Sequence, residues 1–69
     1  MRYGELVRKL RKLGFRYYGP AKGSHEVWWY PDTERRTTIA HHRNVEIKRG
    51  TLRSILRDLE ITEGDLRNA

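Results

Sequence analysis

Three consecutive residues, Gly23-Ser24-His25, place an imidazole beside a hydroxyl and a position without a side chain, at the mouth of an aromatic strand-forming run. Histidine is the one unperturbed side chain that both takes and gives a proton near neutral pH. Glycine lets a backbone or a phosphate come close, and serine adds a hydroxyl contact. General acid–base work on a polyanion is the chemistry that suits this trio, with His25 as the catalytic group. Lys22, Gly23, Ser24 and Arg36 are the candidate phosphate and ribose contacts, and Arg16 and Arg35 could add positive charge if the hairpin brings them near. The plain alternative is a solvent-facing histidine at a strand start, and the cationic and aromatic neighbourhood weighs against it.

His41-His42 raises the question of a metal with His25 as a third ligand. Adjacent strand residues point to opposite faces, and no cysteine or fixed carboxylate stands at ligand spacing, so the reading is no metal and no cofactor. One of the pair shares the surface of His25 and the other caps the strand. Arg49, Arg53 and Arg57 form one helical stripe that reads as a solvated face, while Arg8, Lys9, Arg11 and Lys12 are either a phosphate-binding edge or a solubilising surface.

A chain of 69 residues with net charge +6 and no cysteine sets the bounds. One domain spanning residues 1–69 with one site is expected, since a chain this short buries only about 60% of its unfolded surface. Of its 15 basic residues 11 are arginine, whose fork grips phosphate or carboxylate bidentately. RNA, DNA and an acidic protein all qualify as partners. Without cysteine there is neither a disulfide framework nor a thiolate zinc site. No apolar run approaches the roughly 20 residues of a membrane span, and the first residues lack the apolar stretch of a secretory signal. The expected location is the cytoplasm.

The elements that must position His25 follow from periodicity. Tyr3, Leu6, Val7, Leu10 and Leu13 recur at helical spacing and predict a first helix over about Arg2 to Leu13, stopped by Gly14. Phe15 to Tyr18 reads as a strand broken by Gly19-Pro20, and Pro20 to Gly23 as a loop. Ser24 to Tyr30 and Arg36 to His41 read as a hairpin turned by Pro31-Asp32. Leu52, Ile55, Leu56 and Leu59 mark a second helix over about Gly50 to Glu60, after which Thr62 and Asp65 look like the cap and third position of a short last turn. The order α-β-β-β-α predicts an α+β fold, a three-stranded antiparallel sheet with both helices on one face and the other face open. Alternation puts Glu26, Trp28 and Tyr30 on one sheet face and His25, Val27 and Trp29 on the other. Because burying Glu26 would be costly, Val27 and Trp29 are expected in the core, with Trp28 and Tyr30 exposed.

These residues together resemble a known family. Gly23-Ser24-His25, the hairpin, Ile39-Ala40-His41-His42, and Ile47-Lys48-Arg49-Gly50-Thr51-Leu52-Arg53-Ser54-Ile55-Leu56 are similar to the HicA, or YcfA-like, toxins of toxin–antitoxin systems, over nearly the whole chain. The resemblance implies a fold like the double-stranded-RNA-binding domain. It also implies an mRNA-cleaving toxin that acts without the ribosome, with His25 at the position of the catalytic histidine and a HicB antitoxin as silencing partner. Many members carry proline two places before the histidine that His42 matches, where this chain has Ala40, so the strand exit differs while His25 is untouched.

RNA brings its own nucleophile, the 2'-hydroxyl next to each phosphodiester. A histidine that removes that proton, with cations holding the phosphate, suffices for metal-independent cleavage to a 2',3'-cyclic phosphate. Two other classes share the sequence features: a non-catalytic module that holds structured RNA, and a basic domain that meets an acidic protein.

Overall fold

The computed structural model describes residues 1–69. Helix α1 (Tyr3–Lys12) is followed by strands β1 (Arg16–Pro20), β2 (His25–Tyr30) and β3 (Arg35–Ala40), then by α2 (Arg49–Leu59) and a short α3 (Glu63–Arg67). The α+β order read from the sequence holds, and the last turn is a helix in its own right. The strands form one antiparallel sheet in the order β1-β2-β3.

Each helix follows its apolar stripe. In α1 the buried side chains are Tyr3, Leu6, Val7 and Leu10, and in α2 they are Ile55, Leu56 and Leu59. Gly14 ends the first helix with φ of 101°, and a β-carbon there would stand 2.7 Å from a ring carbon of Tyr30. Only glycine satisfies both conditions without displacement. Helix α3 opens on a reciprocal cap. Thr62 Oγ1 accepts from the Asp65 amide and Asp65 Oδ2 accepts from the Thr62 amide, both at 2.9 Å.

Both long helices lie against the sheet face that carries Trp28 and Ile39, with Phe15 and Leu66 completing one buried cluster. Thr37 is buried on the same face, and its hydroxyl donates to Asp58 of α2 at 2.9 Å. The connection after β3 is tied down as well, since Arg2 bridges to Glu46 and the Ile47 amide donates to the Met1 carbonyl at 2.9 Å.

Two expectations are corrected. First, β1 does not stop before Gly19-Pro20 but runs through them, because Tyr18 is bulged out of register between Tyr17, opposite Trp28, and Gly19, opposite Val27. Proline is tolerated here because β1 is an edge strand, where its missing N–H leaves no ladder bond unmade. Second, the face assignment of β2 is reversed. Trp28 is only 1% exposed, and Tyr30 packs against the core beside it, while Val27 and Trp29 lie half-buried on the opposite face. The cost of turning Glu26 inward is offset by its partners. Its Oε1 accepts from the Tyr3 hydroxyl at 2.5 Å and from Trp28 Nε1 at 3.1 Å, and its Oε2 lies 3.3 Å from His41 Nδ1. A buried carboxylate with that many partners no longer decides against burial, and the larger apolar area of Trp28 does the deciding.

This parity gives opposite outcomes for the two tryptophans. Trp28→Ala is expected to destabilise the domain by about 3–5 kcal/mol in urea unfolding, and Trp29→Ala by far less; equal losses would overturn the assignment. Burial, together with the hydrogen bond to Glu26 and its charge, pushes the Tyr3 hydroxyl up to about 12. A pKa raised on folding contributes stability that is complete below pH 10 and is lost as pH rises through about 12, on the order of 2–3 kcal/mol in all. Alkaline unfolding of wild type against Tyr3→Phe checks this. The stability difference between them should shrink across that interval, and a difference that stays constant would show that the hydroxyl is not held by Glu26.

Candidate functional site

The turn between β1 and β2 is built from backbone bonds. The Ala21 amide donates to the His25 carbonyl at 2.8 Å, and the His25 amide donates to the Lys22 carbonyl at 3.3 Å. Gly23 takes φ of 67° within it, and the space where a β-carbon would stand is empty to 4 Å. Glycine is therefore favoured by the turn and also leaves the approach open.

The same Lys22 carbonyl lies 3.1 Å from His25 Nδ1. A carbonyl only accepts, so this contact requires the proton on Nδ1, and in the neutral ring Nε2 is left as a lone-pair acceptor. The side chain is exposed, which makes that nitrogen available to a substrate.

Ser24 serves a different partner from the one its place in sequence suggests. Its hydroxyl lies 3.2 Å from His42 Nε2, and its carbonyl accepts from the His41 amide at 2.9 Å. It thus fastens the turn to the exit of β3, where Ala40 faces His25 in the strand register. The neighbouring histidines, just past the end of β3, diverge. His42 meets Ser24, whereas His41 stacks on Tyr3 with ring centroids 4.2 Å apart and planes 22° apart, and its Nε2 accepts from Arg43 Nε at 3.1 Å. No three His, Cys, Asp or Glu side chains gather as a ligand set.

A shallow depression of about 220 Å³ brings together Tyr17, Gly23, Ser24, His25, Glu26 and His41. A second pocket of about 170 Å³, between the end of β3 and α2, is lined mainly by apolar groups such as Ile39, Ala40, Val45 and Ile55, and its one histidine, His42, has Nε2 against the Ser24 hydroxyl. The depression beside His25 is therefore the better candidate for chemistry.

Of the residues expected to bring charge near His25, only Lys22 touches it, through its backbone carbonyl. Arg36 pairs with Trp29, four residues along β3 from Ala40, roughly 13 Å at the usual rise per residue. There its guanidinium sits 5.6 Å from the centre of the Tyr18 ring, which packs edge-on against Trp29 at 4.8 Å. Arg16 donates to the Arg11 and Phe15 carbonyls, and Arg35 pairs with Glu60 at 3.6 Å. The sheet ends thus differ: an exposed imidazole at one, and a cation over aromatic rings at the other.

Sequence reasoning missed the group formed by Tyr3, Glu26, His41 and Arg43. Glu26 was the available signal, because a carboxylate inside an aromatic strand demands partners, but Tyr3 and His41 lie far from it along the chain.

No helix is long and apolar enough to cross a membrane. Neither curated proteins nor solved structures give a match to this chain. Residues 3–61 do match a family profile, that of the HicA toxin of bacterial toxin–antitoxin systems. The matched span runs from the first turn of α1 past the end of α2 and takes in all three strands and the open imidazole of His25, and on that extent the chain belongs to the HicA toxin family.

Proposed function

We propose that residues 1–69 act as one metal-independent endoribonuclease unit, the toxin of a toxin–antitoxin pair, cleaving mRNA in the cytoplasm with His25 as the general acid–base group. The observation that carries this reading is the contact of His25 Nδ1 with the Lys22 carbonyl, which leaves Nε2 exposed as an acceptor. A base so placed can take the proton of a ribose 2'-hydroxyl, and the oxygen then attacks the adjacent phosphorus to give a 2',3'-cyclic phosphate. The nucleophile is internal to the substrate, so no ion is needed to generate one. Lys22, three residues before His25 in the turn, is the residue to meet the scissile phosphate, Gly23 lets that phosphate approach, and Ser24 holds the turn against β3 while offering its hydroxyl. Arg36, with Tyr18 and Trp29 on the open sheet face, suits a neighbouring nucleotide, since an unstacked base packs on aromatic and guanidinium planes. A HicB-type antitoxin that covers the depression at His25 would silence the activity.

Incubation of wild type and His25→Ala with a defined mRNA in EDTA tests the proposal. Cleavage to cyclic-phosphate ends by wild type, reduced about 10²–10⁴-fold in a folded His25→Ala protein, is the expected outcome. Loss of wild-type cleavage in EDTA, or an undiminished variant, overturns it, and binding without cleavage marks a non-catalytic RNA module. Lys22→Ala and Arg36→Ala are expected to weaken RNA binding more at low salt than at high, because each removed phosphate contact lowers the number of counterions released. Salt-independent losses in filter binding would show that these side chains do not meet phosphate.

A further inference from the structure

We infer that His41, backed by Glu26, is the second proton-transfer group of the same cleavage, the acid that protonates the leaving 5'-oxygen. This inference rests on the ribonuclease reading and adds a residue to it.

The placement comes from the backbone. The His41 amide is bonded to the Ser24 carbonyl, so the residue stands across from the turn that carries His25, and both imidazoles line the one depression. His42 is the weaker candidate, because it is not part of that depression and its ring meets the Ser24 hydroxyl outside it.

The ring's surroundings are those of a proton donor held in reserve. Arg43 Nε can only donate, so His41 Nε2 is its acceptor, and the proton of the neutral ring is on Nδ1, facing Glu26 Oε2 at 3.3 Å. A carboxylate behind the inner nitrogen fixes the ring and supports an imidazolium when one forms at the outer nitrogen. The charged and titratable groups around the ring are Glu26 from β2, Tyr3 from α1, whose hydroxyl occupies the other oxygen of that carboxylate, and Arg43 from the segment after β3. Arg11 of α1 stands a little further off, over the Trp28 ring.

A protonated Nε2 cannot accept from Arg43. Charging the ring therefore releases the guanidinium, and an arriving phosphate is the natural new partner for it. Substrate binding and arming of the acid are then one event.

The step balances without any co-reactant. His25 Nε2 takes the 2'-hydroxyl proton as the O2'–P bond forms. The P–O5' bond breaks, and O5' takes the Nε2 proton of the His41 imidazolium, giving a 2',3'-cyclic phosphate and a 5'-hydroxyl. Exchange with water resets both rings.

The test compares ordinary RNA with RNA whose scissile linkage has a bridging 5'-sulfur, a leaving group that departs as thiolate and needs no proton. His41→Asn, checked for folding by circular dichroism, is expected to slow cleavage of ordinary RNA by about 10²–10⁴-fold and to approach the wild-type rate on the sulfur linkage. His25→Ala should be slow on both. Full activity of His41→Asn on ordinary RNA, or an equal defect on both linkages, overturns the assignment and leaves the ribonuclease reading standing. Wild type that cleaves neither linkage removes the ribonuclease reading itself. If His41→Asn does not fold, the wild-type pH–rate profile decides: the fall in rate at alkaline pH should be present with ordinary RNA and absent with the sulfur linkage, and a fall with both overturns the assignment.

Discussion

A single carboxylate beneath the sheet must find its partners before Trp28 can turn into the core. Glu26 occupies a position from which it meets a hydroxyl of α1, the indole of its own strand and an imidazole at the exit of β3. A buried polar group of this kind is tolerable only when its partners are in place, so it joins three separate stretches of chain to one register. Strand alternation carries the consequence along β2. With Glu26 inward, Trp28 fills the core, and His25 and Trp29 face out. A slip by one residue would bring the imidazole under the helices and expose the largest side chain of the core.

Charge is distributed differently from what a compact active-site clamp would require. The net charge of +6 is spread widely over the chain, and Arg16, Arg35 and Arg36 are each engaged away from the open imidazole. Arg36, roughly 13 Å from Ala40 along β3, lies beyond about one Debye length at moderate salt, so its pull on an anion held at His25 is weak. The larger effect of these arginines is on the approach of a polyanion and on nucleotides further along the strand. Orientation of the His25 ring is accordingly a matter of hydrogen bonding, and attraction of a polyanion is a matter of the whole surface.

Much of the architecture was legible in the sequence because it rests on local signals. The stripe Leu6, Val7, Leu10, the stop at Gly14, the turn after Tyr30 and the cap formed by Thr62 and Asp65 each depend on residues within a few positions of one another. What failed was non-local. The facing of β2 was argued from the solitary cost of burying Glu26, and Tyr3, which offsets it, is 23 residues away. The bulge at Tyr18 has no sequence mark that distinguishes it from a strand end before glycine and proline. The candidate site shows the same division. Gly23-Ser24-His25 could be singled out as a contiguous motif, whereas the distance of Arg36 from it follows from strand register, which spacing along the chain does not reveal.

The His25 ring is steered by a main-chain oxygen, that of Lys22, and not by any neighbouring side chain. Every amino acid carries that oxygen. Position 22 can therefore exchange its charge for another, or for none, while the tautomer presented to solvent stays the same, so the grip on a substrate and the reactivity of the imidazole are separately adjustable. Gly23, one residue on, has less latitude, because any side chain there would strain the left-handed turn that aims the oxygen.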